Sequence, residues 1–125
     1  MTSHVGSTKH ISLQVRDQQG TAYTVRLAVA EQQETGTLAI LTPTGAVAQQ
    51  FELSHLKKGR DSTQLTCRVS GATVLLSLEH DKNPPELRVA ASFFFPIFDA
   101  SYRLSQAEQQ RLTEWINNLA INVTT

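Results

Sequence analysis

The chain predicts an all-β antiparallel meander of seven or eight strands, curled into a barrel or sandwich, with one C-terminal helix packed on it. Three observations carry that expectation. Apolar residues recur at every second position through most of the sequence, which is the period of a half-buried strand. Short turn-forming segments separate these runs, and pairing across them keeps large side chains on a common face. The one helical signal comes at the end, where Ser105-Gln-Ala-Glu108 opens a segment with apolar residues at helical spacing.

The totals set the frame. With 125 residues, 40% hydrophobic and 18% charged, the chain has the size and composition of one globular domain. That domain is expected over residues 9–120, between an N-terminal tail (1–8) and a C-terminal tail (121–125). A net charge of zero removes the phosphate attraction on which nucleic-acid binders rely. Lys57-Lys58-Gly59-Arg60, followed by Asp61, reads as a solvated turn. No apolar run is long enough to span a membrane, and Met1 to Thr8 lack the apolar core of a signal peptide. The single Cys67 has no internal disulfide partner, so a cytoplasmic setting is the expectation.

The first two strands carry Ile11, Leu13 and Val15, then Tyr23, Val25, Leu27 and Val29. Setting Leu13 opposite Val25 and Val15 opposite Tyr23 leaves the loop Gln18-Gln19-Gly20, whose glycine falls where such loops need a left-handed residue. The third strand, Thr37 to Leu41, is expected to place Leu38 opposite Val29 and Ile40 opposite Leu27. After a turn at Pro43-Thr-Gly-Ala46, a fourth strand runs from Val47 to Leu53, with Val47, Phe51 and Leu53 inward. Residues Ser54 to Arg60 read as loop.

A two-residue turn at Ser70-Gly71 sets Cys67 opposite Val74 and Leu65 opposite Leu76. Across Asp81-Lys-Asn-Pro84, Leu78 faces Leu87 and Leu76 faces Val89. A one-residue slip in either hairpin would throw a whole apolar set to the wrong face. Pro96 removes a ladder donor, so the seventh strand should end or bulge there, with a short eighth strand over Ile97 to Arg103. Ser105 and Glu108 form a capping box for a helix from about Gln106 to Leu119, which shows Leu112, Trp115, Ile116 and Leu119 on one stripe.

Four of the five phenylalanines lie in Phe93-Phe-Phe-Pro-Ile-Phe98. Continued as a strand, this stretch turns Phe93 and Phe95 inward and Phe94 outward, beside Leu75 and Ala90. The helix is expected to cover Phe94 with Leu112, Trp115 and Ile116. Any outer apolar surface left over, with Phe94, Leu75, Leu41 and Trp115 as its candidates, is a dimer or partner surface. Alternatively, Phe51, Phe93, Phe95 and Tyr23 could line an apolar ligand cavity, because an eight-stranded barrel has room for filled side chains or one small ligand.

Other chemistry finds little support. His4, His10, His55, His80 and Cys67 lack zinc-site spacing, so no metal is expected. Asp61 and His80 face each other across an extended hairpin with Ser62 nearby, which makes them weak candidates for a hydrolytic site. No glycine-framed serine accompanies them. No phosphate loop or dinucleotide fingerprint is present, and no cofactor is expected.

A meander of seven or eight strands resembles the calycin barrels, and that resemblance implies carriage of an apolar small molecule. A small barrel ending in a helix that starts Leu104-Ser105-x-x-Glu108 also resembles PilZ domains. The paired arginines of their nucleotide site are absent, so cyclic-dinucleotide binding is not carried over. The expected function is a non-catalytic interaction module for a protein partner, either a second copy or a target of a small inhibitor or immunity-type protein. Carriage of an apolar molecule is the alternative.

Overall fold

The computed structural model describes residues 8–123; the rest of both expected tails lies outside the described residues. Eight strands follow in order: β1 (Thr8–Arg16), β2 (Ala22–Ala30), β3 (Thr35–Leu41), β4 (Val47–Lys58), β5 (Gln64–Val69), β6 (Ala72–Glu79), β7 (Glu86–Ser92) and β8 (Pro96–Arg103). Helix α1 (Gln106–Asn117) follows them. Each strand pairs antiparallel with the next, and β8 returns to β1, so the sheet closes into a barrel. No helix among the described residues is long and apolar enough to cross a membrane.

Three hairpin registers are those that side-chain parity demands. Leu13 faces Val25, Cys67 faces Val74, and Leu78 faces Leu87. Both turns with a clear signal use left-handed backbone: Gly20 has φ 86°, while Ser70 and Gly71 have φ 48° and 90°. That pair of positive angles is what a two-residue turn matched to strand twist requires.

Two segments differ from expectation. Leu38 faces Leu27 and Ile40 faces Val25, a two-residue shift from the expected register that leaves the same side chains inward. Period two fixes the face but not which inward residue sits opposite which. The second difference is β4, which continues through the expected loop to Lys58. Between the pairs Ser54–Arg68 and Lys57–Thr66 it holds one residue more than β5, with His55 at φ 54°. This bulge flips the inward parity, so Leu56 is fully buried where odd-numbered counting puts it outside.

One core joins barrel and helix. Leu13, Val25, Leu27, Leu38, Leu65 and Val89 fill the interior together with Leu104, Leu112, Ile116 and Leu119. The helix therefore continues the barrel interior and does not lie on an outer face over Phe94. Its position follows from the seam, where β1 and β8 share only the pair Arg16–Arg103. Just beyond that pair, the Gln14 N–H donates to Glu108 Oε2 at 2.7 Å, so the helix supplies the acceptor that β8 no longer provides.

The capping box is consequently half formed. Ser105 Oγ accepts from the Glu108 N–H at 3.1 Å, but the glutamate side chain turns to Gln14 and Arg111. Burial alone would raise the Glu108 carboxyl, yet these hydrogen bonds and the Arg111 charge outweigh it and hold the group below its usual range.

The far end of α1 is held by Lys58, whose ammonium donates to the carbonyls of Asn117 (3.0 Å) and Leu119 (2.7 Å). A cation there answers the negative end of the helix dipole. Lys58 is thus a strand residue with a structural partner, not part of a solvated turn. The chain then returns to β4, with the Lys58 N–H donating to the Asn122 carbonyl and Ile121 packing on the core.

Candidate functional site

Alternate connections of a meander leave from opposite ends of the barrel. The β2–β3, β4–β5 and β6–β7 connections share an end with α1. The β3–β4, β5–β6 and β7–β8 connections gather at the other, which α1 leaves open.

The triple phenylalanine is at this open end. β7 stops at Ser92, which pairs with Pro96, so Phe93, Phe94 and Phe95 form the hairpin loop. The expected inward placement of Phe93 and Phe95 is corrected: they are 52% and 67% exposed. Phe94, expected beneath the helix, is 89% exposed. The Phe93 N–H donates to the Phe95 carbonyl at 3.1 Å, and the rings of Phe93 and Phe94 lie 4.3 Å apart. Below the loop, Arg88 grips Asp99 with two hydrogen bonds of 3.0 and 2.7 Å, bracing β7 against β8. The hydrogen bond and charge of Arg88 hold the Asp99 carboxyl below its usual range.

Beside the loop lies a cleft of about 320 Å³, walled by Phe51, Val69, Val74, Phe93, Ile97 and Phe98. Phe51 on β4 and Phe98 on β8 approach to 5.8 Å between ring centroids, so they form its floor from separate strands. Ile97 in its wall is exposed, as is Val47 (expected inward) at the start of β4. The segments 42–51, 69–78 and 89–98, which pass through this end and into the strands behind it, contain no Asp, Glu, Lys, Arg or His. At the chain's 18% charge, thirty average residues would carry about five charged ones, so this end is depleted of charge as interface centres are.

The expected site residues separate accordingly. Phe51 and Phe93 both wall the cleft, and Phe95 is exposed in the adjoining loop. Tyr23 is elsewhere, edge-on to Tyr102 at 5.9 Å. Among the surface candidates only Phe94 belongs to this end as an exposed group. Leu41 is buried, Leu75 is half-buried beside Ala90, and Trp115 packs against the core from the helix. Val69 and Ile97 were not singled out by the sequence, although the charge-free segments around them are a signal that could have found them.

Asp61 and His80 lie in the β4–β5 and β6–β7 connections, at the helix end. Hydrogen bonds from Thr63 hold the Asp61 carboxyl below its usual range, with a smaller contribution from the charge of His80. Both side chains are exposed, and the Ser62 hydroxyl donates to Asn117 on α1 at 3.1 Å. Ser62 thus anchors the helix. Cys67 is buried, with its thiol against the Val74 carbonyl at 3.8 Å, and burial pushes it up to about 12. A thiol so placed stays protonated and is a poor nucleophile. Comparison with family models, with curated proteins and with solved structures finds no match to this chain.

Proposed function

We propose that this protein is a non-catalytic binding module that docks a protein partner on the open, apolar end of its barrel. One observation carries the reading. Among the described residues, five of the six large exposed apolar side chains (Val47, Phe93, Phe94, Phe95 and Ile97) lie at this end, and two of them, Phe93 and Ile97, wall its cleft of about 320 Å³. Apolar sets of this kind, left uncovered by their own fold, mark surfaces that another molecule covers. Aromatic anchors beside a pocket are also the usual centre of binding energy in protein interfaces.

Panning a random peptide library on the wild-type protein and on a Phe94→Ser/Ile97→Ser double variant tests this reading. Peptides rich in aromatic and aliphatic residues should be enriched on the wild type and lost on the variant. Equal recovery on both would defeat it.

A second reading, carriage of an apolar small molecule, draws on the cleft volume, which falls at the low end of the roughly 300–1,000 Å³ typical of small-ligand sites. Against it stand the packed barrel interior and the exposure of the loop above the cleft. Native mass spectrometry of the protein purified from its source separates the two, since a retained lipophilic molecule would favour the carrier. Hydrolysis by Asp61 and His80 has the least support, because neither group is sheltered and the adjacent hydroxyl is already engaged.

A further inference from the structure

We propose that the partner at the open end is a second copy of this chain, in a two-fold dimer where Phe94 of each copy enters the cleft of the other. This rests on the reading of the open end as a protein-docking surface and adds the identity of the occupant.

Knob and hole stand side by side on one surface. Phe94 is 89% exposed, and its ring lies 4.3 Å from that of Phe93, which is itself a wall of the cleft. A two-fold axis beside that pair brings each knob to the other copy's hole, because contacts across such an axis are reciprocal. The sizes agree. A cavity of about 150 Å³ already accepts a benzene ring, and this cleft has about 320 Å³.

The area is also sufficient. At roughly 150–250 Å² per aromatic side chain, the uncovered parts of Phe93, Phe94, Phe95, Ile97 and Val47 come to about 500–700 Å² per copy. Two copies face to face would bury about 1,000–1,400 Å², which reaches the range of specific interfaces.

Charge narrows the choice of occupant. Different proteins select one another through complementary charges, and anionic membranes attract Lys and Arg beside an inserting loop. The segments 42–51, 69–78 and 89–98 contain neither sign of charge. Identical copies need none, and the same absence spares them like-charge repulsion.

Sedimentation equilibrium and native mass spectrometry of the full chain, from micromolar to submillimolar concentration, test the proposal. The wild type should reach twice the 13.8 kDa chain mass. Phe94→Ser should raise the dimer dissociation constant about 100-fold or more without changing the melting profile at concentrations where the wild type is monomeric. Ala72→Phe, which fills the cleft from its wall and leaves Phe94 in place, should weaken the dimer likewise. A wild type that stays monomeric throughout, or a dimer that Phe94→Ser leaves intact, overturns the assignment. A monomer that still selects apolar peptides through Phe94 loses the second copy but keeps the docking surface, whereas one that selects none loses both. A monomer that sediments with phosphatidylcholine–phosphatidylserine vesicles in a Phe94-dependent manner overturns the dimer in favour of a bilayer.

Discussion

At the helix end of the barrel Leu112, Ile116 and Leu119 are each no more than 2% exposed, whereas at the open end Phe93, Phe94 and Phe95 are all more than half exposed. Both sets are strongly apolar, so hydrophobicity alone does not explain the difference. The helix end has a covering element that polar contacts pin from several directions. Glu108 reaches β1, Lys58 reaches the last turn of α1, Ser62 reaches Asn117, and the Ala120 N–H donates to Glu31 Oε2 at 2.7 Å. At the open end the connections are short, and the Phe loop's backbone hydrogen bond is internal to the loop. Its apolar side chains are held outward by the fold. One end is closed by its own helix, and the other is left uncovered.

That contrast can be broken from either side. The largest effect should come from Ile116→Ala, which opens a cavity where α1 meets the barrel. It should cost about 2–5 kcal/mol in denaturant unfolding, and a cost near zero would mean that α1 is not part of the core.

Next comes the thiol in the barrel wall. The Cys67 proton is retained up to about pH 12 in the folded protein but is lost near the ordinary thiol value once the chain unfolds. The folded value is raised, so this stability is fully present below the unfolded value and is lost as pH rises toward the folded one. Between those limits the unfolding free energy should fall by up to about 1.4 kcal/mol per pH unit. Cys67→Ala should flatten that alkaline arm, and the native thiol should resist thiol reagents until the protein unfolds.

Lys58→Met keeps the aliphatic stem and removes the ammonium from the end of α1. A loss of about 1–2 kcal/mol is expected, with faster amide exchange in the last helical turn as the local readout. The smallest effect belongs to the open end, where Phe94→Ser should change monomer stability by no more than about 0.5 kcal/mol. A large loss there would make the phenylalanine loop part of the core and erase the distinction between the ends.

Much of the wall could be read from residue order. Parity placed Leu13, Leu65, Leu76 and Leu87 on the inner face, and turn chemistry located Gly20 and Ser70-Gly71. The phenylalanine loop was within reach as well. With Leu78 opposite Leu87, Phe93 falls opposite Ala72, the first residue after the Ser70-Gly71 turn. Phe94 and Phe95 therefore had already run past the end of the neighbouring strand. Treating the triplet as more strand overlooked the length of β6. The bulge at His55 was out of reach, because one left-handed residue in a polar segment leaves no mark on period or composition.

What the sequence determined by itself was local: the alternation that makes strands, the turns that reverse them, and the Ser105 cap that starts the helix. These depend on neighbours within a few residues. Tertiary structure alone decided where the helix went. A stripe of Leu112, Ile116 and Leu119 asks only for an apolar surface, and several were on offer. The barrel interior provided the deepest burial, the single-pair seam between β1 and β8 left room for the approach, and Lys58, Ser62 and Glu31 held the far end. With the helix committed there, the phenylalanines at the opposite end were left uncovered.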